Sequence, residues 1–173
     1  MAKGLLREFE SHQPLVDHKV TIDFLFAFAE RDAKGNRKND ALKLHGYRAL
    51  GIAKKTSLKD RAKGLADAEI LLDGDWWEEA TVEQQRALLD HELHHLAAMG
   101  DTDDLGRPLL EMRQHDYHFG WFREIAQRHG AASQERVQAE ILMETGGQYF
   151  WPGIRDAMTT GDRATKLELA RRK

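Results

Sequence analysis

Two short stretches, Thr81-Val82-Glu83-Gln84 and His91-Glu92-Leu93-His94-His95, constrain this chain more than anything else in it. The first is a capping box. Thr81 serves as N-cap and Gln84 as its partner three residues on, so a helix opens here. Its apolar spacing carries it to about Met99, with Gly100 as the stop. The second stretch fits H-E-x-x-H. Helical residues four apart share a face, so His91 and His95 can grip one cation, with Glu92 alongside to take a proton from an attacking water. On a wheel with His91 at zero, Leu88, Met99, Leu96, Leu89, Val82 and Leu93 fall between about 60° and 200°. Glu92 falls at about 100°, inside that apolar stripe, where a carboxylate without a partner is costly. A working site explains it. His94 falls at about 300°, beside Glu83, Ala87 and Asp90, on the face expected to be polar.

Two histidines leave a catalytic zinc short of a ligand, since such sites usually have three protein ligands and one open position. The chain has nine histidines and no cysteine, so thiolate ligands, disulfides and iron–sulfur clusters are excluded. The spacing predicts a second helix over about Leu109–His129, ending at Gly130. On its wheel His115 sits mid-stripe, with Phe119, Ala126, Phe122, His129, His118 and Ile125 within about 80°. His115 is therefore the expected third ligand and His118 the runner-up. His118 could instead orient a ligand or stabilise an oxyanion. Asp116 is read as an orienting partner or a surface residue, and His129 as interacting with the helix dipole.

The rest of the chain reads as α+β. Residues 1–19 suggest a short amphipathic helix. Ile22, Phe24, Phe26 and Phe28 alternate with their neighbours at period 2, which predicts a strand. Ala33 to Asp40 is a polar loop, and Leu42 to Ala53 a second strand bent at its glycines. Lys54 to Lys63 is a charged connection. Ala68 to Leu72 is a short strand stopped by Asp73-Gly74-Asp75. Residues 101–108 form a loop. A third late helix is expected over about Ser133–Glu144. Tyr149-Phe150-Trp151-Pro152 looks like a segment packed back on the core, and the last dozen residues like a charged helix or frayed tail. One domain is expected over residues 1–173, with its core at about 15–145 and an extension at 146–173.

Charge narrows the partners. With 26 basic and 29 acidic residues the net charge is −3, which excludes a strongly basic nucleic-acid binder of the histone type. Arg163, Lys166, Arg171, Arg172 and Lys173 could touch nucleic acid, but Asp162 and Glu168 dilute them and a solvated tail is the plainer account. No apolar run suits a secretory signal or a membrane span, so the expected location is the cytoplasm.

A strand, then a helix bearing HELHH, then a loop and His115-Asp116-Tyr117-His118-Phe119 together resemble the zincin metallopeptidases. The likeness is to the SprT-like group, where an aromatic follows the third histidine by four residues, as Phe119 does here. HELHHL followed by HDYHFGWFREIAQRHG is similar, more narrowly, to the phage and prophage metallopeptidases, over roughly residues 15–130. The resemblance implies a zincin-like fold, with a small N-terminal sheet packed against the H-E-x-x-H helix and the helices after it. It implies Zn2+ held by His91, His95 and His115, with Glu92 as general base. It also implies a peptide or protein substrate, the host cytoplasm as location if the chain is phage-encoded, and a strand, Ala68–Leu72, running beside the cleft where a substrate can add. The sequence departs from the SprT-like pattern at Asp116, where that pattern has Gly.

Two functions of different class follow. One is a zinc endopeptidase. The other is a metal-stabilised interaction module without turnover, an inhibitor or adaptor, suggested by Trp76-Trp77 beside Glu78-Glu79 and by Tyr149–Trp151. A deformylase reading fails because that site uses a cysteine ligand.

Overall fold

The computed structural model describes residues 1–116 and 120–144. The expectations for His118, for Tyr149–Trp151 and for the basic tail lie outside these residues.

The chain is α+β. Its N-terminal stretch forms α1 (Ala2–Glu8), a 3-10 turn and α2 (Gln13–Asp17) rather than one helix. Pro14 sits in the first turn of α2, where its missing N–H costs nothing. Strands β1 (Ile22–Ala27), β4 (Gly51–Lys55) and β5 (Ala68–Asp73) make a three-stranded sheet in the order β1-β5-β4. β1 runs parallel to β5 and β4 antiparallel to it. The expected strand over Leu42–Ala53 is instead divided. β2 (Lys43–Leu44) and β3 (Tyr47–Arg48) close a hairpin through His45 and Gly46, both at positive φ, before β4 begins. α3 (Leu58–Ala62), capped by Ser57, lies within the expected charged connection.

After β5, Asp73 accepts the Trp76 N–H and caps α4 (Gly74–Glu79). Trp76 and Trp77 pack against the core rather than standing out as a surface pair. α5 (Val82–His94) opens with the expected capping box, both reciprocal bonds present. Ala68, Ile70 and Leu72 of β5 meet Leu88, Leu89 and Leu93 of α5, with Leu5 and Leu15 closing the cluster. Each of the buried leucines and the isoleucine stabilises the fold by about 1.5–3 kcal/mol. The aromatic row that starts in β1 is different: Phe26, and Phe28 just past the strand, remain about half exposed.

Two expected helices are corrected downstream. α5 ends at His94, not Met99, and Leu96–Thr102 forms β6. Residues 108–112 form β7 (Pro108–Met112), antiparallel to β6, so the expected loop at 101–108 is the turn of a hairpin. Asp103 makes the turn by accepting the N–H groups of Leu105 and Arg107. Gly100, at φ 82°, is no helix stop but part of an irregularity in β6, where the register shifts between Ala98 and Thr102. Only the end of the expected Leu109–His129 helix is helical, as α6 (Arg123–His129). Pairing between β6 and β7 overrides the helix propensity of Leu96–Met99 and Leu109–Met112. The last described helix, α7 (Gln134–Glu144), agrees with expectation, and the Ser133 hydroxyl accepts the Arg136 N–H at its start.

Among the described residues, no helix is long and apolar enough to cross a membrane.

Candidate metal centre

α5 delivers two histidines to one place because His91 on its last turn and His95 at its C-cap, still helical in backbone, are four apart. The third arrives by the hairpin. The β6–β7 ladder continues one pair beyond the strands: the Arg113 N–H donates to the His95 carbonyl at 2.7 Å, and His95 Nδ1 lies 2.8 Å from the Arg113 carbonyl. Two residues further on, His115 folds back over the end of α5. Candidate ligand atoms of His91, His95 and His115 all lie within 4.8 Å of one another. The charge of Asp116 acts on His115, to raise its pKa, against the stronger effects that lower it. Asp116 accepts the Arg123 N–H at 3.1 Å and its own N–H donates to the Trp121 carbonyl, so it braces the loop that carries His115.

The donor set fits a divalent cation. His91 Nδ1 faces Glu135 Oε1 at 2.5 Å, and His95 Nδ1 faces a carbonyl. Both partners are acceptors, so each Nδ1 carries the proton and each Nε2 offers its lone pair. His91 Nε2 and His115 Nε2 stand 3.1 Å apart. Two nitrogens at about 2.05 Å from one tetrahedral zinc are about 3.3 Å apart, so the spacing suits a shared cation. The Phe122 ring, fully buried, lies 5.0, 4.9 and 4.7 Å from the rings of His91, His95 and His115 and closes one side of the cluster.

Electrostatics favour the neutral form in two of the candidate ligands. Burial pushes His95 down to about 4. Burial and the charge of His91 and His95 push His115 down to about 3. Burial also acts to lower His91, but the Glu135 hydrogen bond and the charges of Glu92, Glu135 and Asp90 outweigh it and raise its pKa. Glu92 is buried beside β4, where Gly51 leaves room for it. Burial pushes its carboxyl up to about 7, against the pull of His91 and of a hydrogen bond from the Ala53 backbone. That places it near neutrality, where a general base works best.

The wheel misplaced two residues of α5. His94, expected on a polar face, is buried at 3% exposure against Phe122 and His12. Burial pushes its pKa down to about 4. Asp90, expected beside it at the surface, is fully buried. It accepts from His12 Nε2 at 2.5 Å, from Arg128 at 2.7 and 2.8 Å, and from His129 Nε2 at 2.6 Å. His129 is thus a partner of Asp90 as well as a helix-end residue. The reason is that α5 is covered on both sides, by the sheet and by α1, α6 and α7. Glu135 and Asp90 were not anticipated. The one available signal for Asp90 was its position beside Ala87, a small residue that permits close helix packing.

The strand expected beside the cleft is also corrected. Ala68–Leu72 lies in β5, the central strand, with both edges already paired. The edge strand next to Glu92 is β4. Leu50 and Thr56 bond to β5 through the Asp73 N–H and the Asp67 carbonyl. By alternation, Gly51, Ala53 and Lys55 turn their N–H and C=O groups away from it.

A family model described as "putative phage metallopeptidase" matches residues 1–143. No curated protein and no solved structure matches the chain.

Proposed function

Because the chain belongs to the phage metallopeptidase family, we propose that it is a zinc-dependent endopeptidase with its site at His91, His95, His115 and Glu92. The observation that carries this reading is the convergence of three imidazoles, two of them tautomerically fixed by acceptors, next to a buried carboxylate. All-histidine donors at tetrahedral spacing favour zinc over the harder cations. A zinc ion held by these three Nε2 atoms would supply Lewis acidity to the scissile carbonyl and lower the pKa of the attacking water.

The residues do the rest. Glu92, with its carboxyl raised into the working range, takes the proton from the attacking water and returns it to the leaving amine. Phe122 excludes water from one side of the cluster. Glu135 and the Arg113 carbonyl hold His91 and His95 in the ligating tautomer. The substrate is an extended stretch of polypeptide whose backbone adds to the outward edge of β4. Among the described residues, that edge has no strand partner.

The test is Glu92→Ala against a denatured protein substrate. The variant is expected to keep about one zinc per chain and its fold while losing hydrolysis. Hydrolysis at the parent rate in that variant would overturn the mechanism.

A further inference from the structure

Glu92 owes its place to a residue on another element. In the β4–β5 register Gly51 faces Leu72 and Ala53 faces Ile70, so β4 turns these two small residues toward the side that α5 covers. The Glu92 side chain descends onto that strip. A Cβ built on Gly51 would stand 2.6 Å from Glu92 Cδ and 2.7 Å from its Cγ, and closer still to Oε1. Such separations are far inside van der Waals contact. Gly51 is not at positive φ, so the strand does not need glycine for its backbone. What needs it is the carboxylate. Glu92 is 3% exposed and walled in by α5 and the sheet, so it has little room to retreat sideways.

We propose that Gly51 is the positioning residue for Glu92: its missing side chain is the seat of the carboxylate, and any Cβ there drives the carboxylate out of line. The catalytic consequence rests on the peptidase reading above, but the seat itself does not. In Gly51→Ala the flexible partner gives way, and Glu92 must move by roughly an ångström. A displacement of that size typically lowers turnover about 100-fold. The three histidines are untouched, so metal content is unchanged. Glu92→Asp, one methylene shorter, withdraws the carboxylate from the added methyl.

The experiment pairs Gly51→Ala with Glu92→Asp and Glu92→Ala, measuring thermal unfolding and zinc content for all five variants and kcat and KM for those that turn over. Gly51→Ala is expected to bind about one zinc, to lower Tm by roughly 3–8 °C through overpacking, and to lower kcat with KM held. Its cost in Tm should shrink sharply in both the Glu92→Asp and Glu92→Ala backgrounds. The same loss of Tm in all three backgrounds, or none in the parent background, would overturn the proposal and leave the peptidase reading intact. If the parent protein hydrolyses nothing, the peptidase reading fails, and the Tm coupling still decides whether Gly51 seats Glu92. Loss of zinc in Gly51→Ala would also overturn it, because the methyl would then be disturbing the histidines.

Discussion

Removing the Asp90 carboxylate should be among the most damaging single changes outside the candidate metal ligands. The side chain is fully buried and takes four charge-assisted hydrogen bonds, from His12, His129 and twice from Arg128. Four such bonds at about 1.5–3 kcal/mol each would sum to an implausible total. Their partners are not equally stranded. Arg128 keeps Glu124 and Ser11, whereas His12, at 1% exposure, keeps no other side-chain hydrogen bond among the described residues. Breaking a buried pair from one side costs about 3–5 kcal/mol, and Asp90→Ala should fall in that range. That is a large share of a typical domain's 5–15 kcal/mol, roughly speaking. Asp90→Asn keeps the shape and one acceptor and should cost about half as much, which guards against a variant that does not fold at all. The assay is urea unfolding of metal-free protein at neutral pH, read as a fall in midpoint at constant slope. A surface aspartate would change stability by within about 0.5 kcal/mol. A loss below about 1 kcal/mol in both variants would therefore refute the buried hub.

Glu135→Ala should weaken zinc binding about 10–100-fold without abolishing it, read by competition with a chromophoric chelator, because it frees the proton-bearing nitrogen of His91. Asp67 is one contributor to acid sensitivity, beside Asp90. Burial acts to raise the Asp67 carboxyl, but the Thr21 N–H and hydroxyl, Arg61 and Arg107 outweigh it and lower the pKa. A lowered folded pKa gives stability that is present above the unfolded value of about 3.9 and is lost as pH falls through the folded one. Asp67→Asn should thus be less stable at neutral pH and show a flatter decline below about pH 4 in thermal unfolding scans. An unchanged acid slope would remove Asp67 from the account.

How much could be read from the sequence depended on the range of the interactions involved. The Thr81 capping box, the period-2 run of β1 and the i, i+4 histidines are local, and the structure has each of them where the residues put it. The end of α5 is not local. Leu96-Ala97-Ala98-Met99 continues the helical stripe and forms good helix, yet it pairs with Leu110, Glu111 and Met112 across a turn. Helix propensity could not foresee that pairing. The wheel reaches His115 through a stretch that is not helical at that point: it lies in the loop after β7, brought near His91 by the hairpin. The wheel also assumed one buried face for α5. Packing on both sides hides Asp90 and His94, which a single-sided reading assigns to solvent.

One feature of the centre bears on when it can exist during synthesis. His91 and the Glu135 that fixes its tautomer are separated by 44 residues, and α6 lies between them with a rib of contacts to α5. A nascent chain that has released only the HELHH helix has two imidazoles and a carboxylate but neither the third ligand nor the buried acceptor. It lacks the third candidate ligand until the β6–β7 hairpin has emerged, and would hold a cation at full strength only once α7 has docked. On the proposed reading, a hydrolase built this way gains its full activity only as its own folding is completed.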